Sequence, residues 1–229
     1  MRAACLVLLT AVFPLAASPQ STPAAPQPAA PVIVVDFSHP GANPSQWTLT
    51  LHQDGSGHFH LENADPPPGS SSDSGSPGVD RDIQVSQSFA GRFFTAAQRH
   101  NWFNQQCESH FKVALQGEKT FTYRGPEGQG SCTFNYSKDK EIQSLSDAVL
   151  GLEETLREGA RLQMLLQHDP LGLDREMEYL ADAAKDGRVR QIPAIRAILQ
   201  QLADDPAVLD RVRKRAHDLL LHPGIQSER

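Results

Sequence analysis

The sequence predicts an α+β fold in which a small antiparallel sheet with one packed helix is followed by an all-α helical-hairpin region. Two observations support this prediction. Up to about residue 137, the chain contains short runs of alternating apolar and polar residues, which is the period of a half-buried strand. Beyond that point the apolar residues recur at spacings of three and four, which is the period of an amphipathic helix.

The N-terminal segment has the features of a secretory signal peptide. Residues 1–18 begin with a basic residue, Arg2, continue as an apolar run to Ala17 and end among small residues. The run is shorter than the roughly 20 apolar residues that a membrane span requires, so we expect cleavage and export, to the periplasm or the extracellular space. Residues 19–31 are rich in Pro and Ala, which predicts a disordered linker.

Residues 32–137 are predicted to form the α+β domain. Alternation predicts strands at Trp47–His52, Asp82–Ser86, His110–Gln116, Lys119–Arg124 and Ser131–Tyr136. A helix is expected to begin near Ser88 as its N-cap and to bury Phe89 and Phe93. The Pro- and Ser-rich residues 65–78 contain little to bury, which predicts a mobile loop.

The strand pair between Leu49 and Glu62 carries the densest set of polar residues in the chain. Keeping its apolar residues on one face predicts a register that places His52 opposite His60, with His58 beside them. Cross-strand Cβ atoms lie about 4.5–5.5 Å apart, a spacing at which imidazoles can share a Zn²⁺ ion. The other interpretation is a plain solvent-facing strand surface, because three histidines without cysteine lack the closed shell of a structural zinc site.

The chain has 3 cysteines, and cleavage of the signal peptide removes Cys5. Cys107 and Cys132 then have two interpretations. Either residue is a nucleophile activated by His100 or His110, or the two form a disulfide. Export favours oxidation, and the disulfide would stabilise the domain by about 3.5 kcal/mol on the chain-entropy model. We therefore predict the disulfide.

Residues 138–229 are predicted to be a helical region. Apolar spacing predicts a long helix that runs toward Gln167 and stops before Pro170. Three shorter helices are predicted at Asp174–Lys185, Pro193–Ala203 and Pro206–Leu221. Asp205 and Pro206 are expected to serve as N-cap and first residue of the last helix.

The charge pattern argues against one class of partner. The formal net charge is −6 and is spread along the chain. Nucleic-acid binding normally requires a basic patch or stripe, and the basic cluster around Arg213 is flanked by Asp210 and Asp218. We therefore predict no nucleic-acid partner, and the sequence also predicts no membrane span.

The run from Trp47 to Phe59 follows the pattern W-x-L-x-L, then D-G-x-G. This pattern resembles the opening hairpin of an uncharacterised class of bacterial exported domains, over residues of about 50–135. The resemblance implies a bacterial envelope setting. It implies no activity.

These observations lead to a functional prediction. We expect an exported, non-catalytic binding or interaction module of the cell envelope, with an unknown protein or envelope ligand as its partner. The expected contact surface is the sheet face around His52 and His60, or the groove between the sheet domain and the helical region. The alternative is a metal-dependent hydrolase that uses His52, His58 and His60, and a third possibility is an assembly factor acting through the C-terminal helices.

Overall fold

The computed structural model describes residues 30–42, 45–62 and 77–222. Within them the chain forms six strands: β1 (Val32–Ser38), β2 (Gln46–His52), β3 (Ser56–Leu61), β4 (Val79–Gln84), β5 (Glu118–Gly125) and β6 (Gly128–Phe134). Its helices are α1 (Gln87–Arg99), α2 (Lys140–His168), α3 (Leu173–Lys185), α4 (Arg196–Asp204) and α5 (Asp210–Leu221). Three predicted segments lie wholly or mostly outside the described residues: the signal peptide at 1–18, the linker at 19–31 and the loop at 65–78.

The six strands form one antiparallel sheet in the order β4-β3-β2-β1-β5-β6. β1 is central, and its Val35 lies between Leu49 of β2 and Phe121 of β5. β4 and β6 are the edge strands. The predicted α+β class is confirmed, because helices pack beside a sheet of antiparallel strands.

One face of the sheet is the core face, on which alternate residues of each strand are buried. Helix α1 packs against it. The ring of Phe93 lies 6.0 Å from that of Phe121 and 5.3 Å from that of Phe89. These contacts confirm the predicted burial of Phe89 and Phe93. The N-cap of this helix is Ser86, two residues before the predicted Ser88. The Ser86 hydroxyl accepts a hydrogen bond from the backbone N–H of Phe89.

The opposite face is half-buried or exposed along its whole width, and we call it the open face. Its side chains alternate with those of the core face, as the pleat of a strand requires. The open face comprises Val32, Val34, Asp36, Ser38, Gln46, Thr48, Thr50, His52, His58, His60, Glu62, Asp80, Asp82, Gln84, Glu118, Thr120, Thr122, Arg124, Gln129, Ser131 and Thr133.

The helices α2 to α5 share one hydrophobic core with the sheet and α1. Helix α2 is 29 residues long and begins at the N-cap Asp139, whose carboxylate accepts two backbone N–H bonds of the first turn. Two hydrogen bonds also join the β4–α1 segment to the chain before α4. The Arg81 guanidinium donates to the carbonyl of Ala194 at 2.6 Å, and the N–H of Ser86 donates to Oε1 of Gln191 at 2.8 Å.

The prediction of a strand at His110–Gln116 is wrong. This segment is irregular, and His110 has a φ of 57°, which turns the backbone out of the extended region. Its alternate apolar residues Phe111, Val113 and Leu115 are 59%, 39% and 58% exposed. Alternation alone does not make a strand where no neighbouring strand completes the ladder: β5, which follows, is already paired on both sides.

Two further boundaries differ from prediction. The fourth strand is Val79–Gln84 rather than Asp82–Ser86, because Ser86 is used to cap α1. The last helix begins at Asp210 rather than at Pro206. Asp205 does accept a backbone N–H, from Ala207 at 2.8 Å, but this bond closes a turn that ends before the helix.

The structure contains the predicted disulfide between Cys107 and Cys132, with a Cα–Cα distance of 5.7 Å. Both cysteines are buried. Cys132 lies in β6, whereas Cys107 lies in the irregular segment that follows α1. The bond therefore fixes that segment to the edge of the sheet, and it removes both thiols as nucleophiles.

Candidate functional site

The predicted register of the β2–β3 hairpin is wrong. His60 lies opposite Thr48, and His58 lies opposite Thr50, so His52 does not face His60. The hairpin closes through a short turn in which Gly55 has a φ of 87°, a conformation that glycine adopts without steric cost. The true register differs from the predicted one by an even number of residues, so the three histidines still project from the predicted face.

His58 and His60 find their partners on the neighbouring strand β4. The two ring nitrogens of His58 each lie 2.9 Å from a carboxylate oxygen, one of Asp80 and one of Asp82. Nδ1 of His60 lies 3.2 Å from the other oxygen of Asp80. A carboxylate only accepts hydrogen bonds, so His58 donates to both aspartates when its ring is protonated. Consistently, the hydrogen bond to Asp82 and the charge of Asp80 raise the pKa of His58 above its usual value.

The structure thus places two of the three predicted metal ligands together and leaves His52 apart from them. Among the described residues, no group of three or more His, Cys, Asp or Glu side chains has an arrangement that could hold a metal ion. The alternative of a zinc hydrolase built on His52, His58 and His60 stays a prediction.

A shallow depression lies on the open face where β2, β1 and β5 adjoin. Its volume is about 210 Å³, and its open-face residues are Asp36, Ser38, Gln46, Thr48, Glu118 and Thr120. Oδ1 of Asp36 accepts a hydrogen bond from the hydroxyl of Thr48 at 2.9 Å, which orients the carboxylate. The depression therefore presents two carboxylates beside hydroxyl and amide groups.

A second, larger concavity lies where the start of β4 meets helices α2 and α3, and we call it the groove. Its volume is about 570 Å³. It is lined by Pro77, Arg157, Glu158, Arg161, Leu165, Asp169, Gly172, Arg175, Glu176 and Tyr179. Only Pro77 of its lining comes from residues 32–137, and the other residues belong to the helical region. The contact surface expected between the sheet domain and the helical region stays a prediction.

Two buried carboxyl groups form the floor of the groove. Glu158 of α2 is 5% exposed and Glu176 of α3 is 8% exposed, and both side chains line the groove. Nε of Arg161 lies 2.8 Å from Oε2 of Glu176, so the Glu176 carboxyl has a cationic partner. Burial first, and then the neighbouring carboxyl group of Glu176, raise the pKa of Glu158 to about 9.

Ion pairs and hydrogen bonds around Arg157 and Tyr179 continue from the groove toward solvent. Arg157 contacts Glu153 and Glu154 on the same helix. The Tyr179 hydroxyl donates to Oε1 of Glu154 at 2.7 Å, and the Arg188 guanidinium lies 5.0 Å from the Tyr179 ring centre. Burial raises the pKa of Glu153 to about 7 in spite of the nearby Arg157.

Sequence reasoning missed the carboxyl pair. One signal was available in α2, where Gly151, Thr155, Glu158 and Leu162 recur at spacings of four, three and four and are all buried. A glutamate at one of these positions is therefore predicted to be a buried carboxyl group. Its partner Glu176 lies on another helix, and nothing in the sequence fixes that contact.

Comparison with known proteins assigns no family to this chain. No protein-family model matches it, and no curated protein sequence matches it. Among the described residues, none of the helices is long and apolar enough to cross a membrane. The resemblance to bacterial exported domains stays a prediction.

Proposed function

We propose that the protein is an exported, non-catalytic binding module of the cell envelope, and that its open face binds a basic segment of a partner protein. The supporting observation is the acidic open face with its shallow depression. Exposed carboxylates on this face outnumber its cationic side chains: Asp36, Glu62, Asp80, Asp82 and Glu118 stand against Arg124 and against His58, which contacts Asp80 and Asp82.

The size of the depression favours a side chain over a free ligand. Small-molecule sites usually enclose about 300–1,000 Å³, whereas this depression has about 210 Å³. The head group of one lysine or arginine fits such a volume, with Asp36 and Glu118 as counter-charges and Thr48 as a further acceptor. The same charge repels phosphates.

One structural fact is compatible with the exported setting. The Cys107–Cys132 disulfide is the kind of cross-link that persists in oxidising compartments. It also ties up both cysteines, so the cysteine-nucleophile interpretation has no free thiol among the described residues. The setting itself rests on the features of residues 1–18.

The binding proposal is tested with a fluorescent octalysine peptide as the probe and fluorescence anisotropy as the measurement. We expect the double variant Asp36→Asn/Glu118→Gln to bind the peptide about fivefold more weakly or worse, because one charge-assisted contact is worth about 1 kcal/mol or more. Added salt should weaken wild-type binding, since exposed charges are screened.

The matched control removes two exposed carboxylates from the helical region, as Asp204→Asn/Asp218→Asn. Its net charge equals that of the test variant, and we expect its affinity for octalysine to stay close to wild type. An equal loss in both variants would mean that the peptide responds only to net charge, and that result would reject the open-face site. Absence of any binding by the wild-type protein would reject it as well.

The partner itself is sought by photo-crosslinking in the native envelope. A photoreactive residue replaces Thr122 on the open face, and in a second protein it replaces the exposed Gln201 of α4. We expect an adduct with a lysine- or arginine-rich protein segment from position 122 and not from position 201. Adducts from position 201 alone would instead support the C-terminal helices as the interaction surface.

A further inference from the structure

Residues 110–116, in the irregular segment between α1 and β5, form a loop that holds apolar side chains in solvent, and we call it the apolar loop. Among the residues that the structure describes, seven large apolar side chains are exposed, and Phe111, Val113 and Leu115 lie within five consecutive positions. The others are scattered over the helical half, Leu171 among them. Single exposed apolar side chains are common, whereas a cluster indicates a surface that contacts a protein or a membrane.

Polar contacts, rather than burial of its apolar side chains, fix the shape of the apolar loop. Oδ1 of Asn135 accepts a hydrogen bond from the N–H of Gln116 at 2.7 Å, and its Nδ2 donates to the carbonyl of Ala114 at 3.1 Å. The hydroxyl of Ser109 accepts a hydrogen bond from the N–H of Phe111 at 3.1 Å. The disulfide ties the residues before the loop to β6. The apolar side chains are therefore presented in a defined arrangement, and a contact through them requires little further ordering.

Unpaired positive charge accompanies these apolar side chains. Lys112 lies within the apolar loop and is exposed. The ring of Tyr136 lies 6.5 Å from that of Phe111, and the exposed Lys138 follows two residues later. Within the described ranges, neither ammonium group forms an ion pair or a hydrogen bond. The carboxylate of Glu108, just before the loop, accepts hydrogen bonds from two backbone N–H groups.

We call the surface formed by these side chains the loop surface; it comprises Phe111, Lys112, Val113, Leu115, Tyr136 and Lys138. Its size and charge decide between a protein and a membrane as its partner. A stable protein interface needs about 800 Å² from each partner. Even at roughly 250 Å² for each of the three apolar side chains of the loop, their area stays below that requirement. A membrane contact needs fewer groups, because a few apolar side chains enter the interface while neighbouring lysines meet anionic headgroups.

We propose that the loop surface binds the surface of a bilayer that contains anionic phospholipids. Phe111 and Leu115 enter the interfacial region, and Lys112 and Lys138 contact lipid phosphates. Glu118, the first residue of β5, disfavours a contact that extends onto the acidic open face. The proposal does not depend on the function proposed for that face.

The proposal is tested by co-sedimentation with vesicles of two compositions, phosphatidylcholine alone and equal parts of phosphatidylcholine and phosphatidylglycerol. The mature protein without residues 1–18 is used, because the apolar run in those residues would itself bind lipid. We expect about tenfold stronger binding to the anionic vesicles, since each lysine near the surface adds to the attraction. Added salt should weaken that preference.

One pair of variants tests the apolar contact. Phe111→Ser/Leu115→Ser removes two apolar side chains of the loop surface and should weaken vesicle binding about tenfold or more. Leu171→Ser/Leu221→Ser is the matched control, because it removes two exposed apolar side chains of the helical half. Its binding should stay close to wild type.

A second pair of variants tests the charge contact. Lys112→Gln/Lys138→Gln should remove most of the preference for anionic vesicles and leave the binding to phosphatidylcholine close to wild type. Lys185→Gln/Lys214→Gln has the same net charge and replaces two exposed lysines of the helical half. This control should keep the preference.

Several outcomes would overturn the proposal: no binding of the wild-type protein, equal binding to both vesicles, or a Phe111→Ser/Leu115→Ser protein that binds like its control. Size-exclusion chromatography covers another occupant. A wild-type dimer that becomes monomeric in this variant, without vesicle binding, would assign the loop surface to a second copy of the chain. If the variant does not fold, the comparison of the two lysine variants decides the question.

Discussion

The sheet half of the molecule, β1 to β6 with α1, and the helical half, α2 to α5, place their paired ionisable groups in opposite environments. His58 and its partners Asp80 and Asp82 lie on the open face, with side chains 46%, 66% and 95% exposed. Glu158 and Glu176 lie between two helices and are almost completely buried. In both halves a pKa is raised, but by a neighbouring carboxylate in the first and mainly by burial in the second.

The contrast has a physical consequence. Exposed charges remain hydrated and screened, so they contribute little to stability and are free to meet a partner. Buried carboxyl groups change their protonation instead, and that change is linked to folding. The open face is therefore suited to recognising an external charge, whereas the buried carboxyl groups of the helical half make its stability depend on pH.

One residue of the sheet half is an exception that supports this distinction. Lys119 is fully buried on the core face, and burial lowers the pKa of its ammonium. Its Nζ donates to the carbonyl of Asn135 at 2.6 Å and lies 5.5 Å from the centre of the Phe134 ring. This buried charge has partners within the protein, whereas Oε2 of Glu158 has none among the described residues.

The largest expected effect tests whether the two halves fold as one unit. The double variant Cys107→Ala/Cys132→Ala should lose about 3.5 kcal/mol of unfolding free energy. Both tryptophans, Trp47 and Trp102, lie in the sheet half, so fluorescence reports that half, while far-UV circular dichroism reports mainly the helices. Because the halves share a continuous core, we expect coincident urea transitions at a lower midpoint.

Wild-type protein treated with reductant is the control, and it should lose a similar amount of stability. Mass spectrometry before and after reduction confirms that the bond was present. Separate transitions by the two probes would mean that the halves unfold independently, and the comparison would then concern two domains.

A smaller effect is expected from the buried carboxyl pair of the helical half. The pKa of Glu158 is about 9 in the folded protein against 4.5 in the unfolded chain. The folded state therefore holds a proton that the unfolded chain releases, and stability falls as pH rises between these values. This contribution is at most about 1.4 kcal/mol per pH unit, and Glu158→Gln should remove it.

The measurement is the unfolding free energy from urea titrations between about pH 5 and pH 8. Glu178→Gln, which removes a largely exposed carboxylate of α3, should leave the pH dependence unchanged. The pKa of Glu153 is also raised, so part of the decrease in unfolding free energy with pH should remain in every variant. Identical slopes for wild type and Glu158→Gln would show that the carboxyl at position 158 holds no proton that depends on folding.

In the sheet half, the sequence predicted those features that depend only on the local alternation of apolar and polar residues. Strand alternation located β2 and β5, and it assigned His52, His58 and His60 to one face. It failed to predict the hairpin register, because registers that differ by an even number of residues bury the same side chains. The shortness of the turn around Gly55 decides between them.

The partners of each site could not be read from the sequence. Asp80 and Asp82 lie two apart on one strand, which predicts a shared face, but only the strand order brings β4 beside β3. The contact of Glu158 with Glu176 likewise depends on how α3 packs against α2. Local periodicity identifies which side of a helix or strand is buried, whereas tertiary packing determines which residues of other elements contact that side.

The smallest expected effect concerns His58 on the open face. Its raised pKa means that its ion pairs stabilise the fold below the ordinary pKa of 6.5 and lose that effect as pH rises through the folded value. Asp82→Asn should lower the pKa of His58 measured by NMR titration, since the hydrogen bond to Asp82 is its largest cause. Added salt should lower it too.

The remote substitution Asp204→Asn is the control and should leave the His58 titration as it is in wild type. Because the pair is exposed, we expect Asp82→Asn to lower the urea midpoint only slightly, and only at pH values where His58 is protonated, whereas Glu158→Gln changes the pH dependence clearly. A clear loss of stability in Asp82→Asn would contradict the comparison, because an exposed ion pair would then contribute to folding as a buried one does. A lowered pKa with only a slight loss of stability would leave the histidine and its aspartates free to respond to a bound partner.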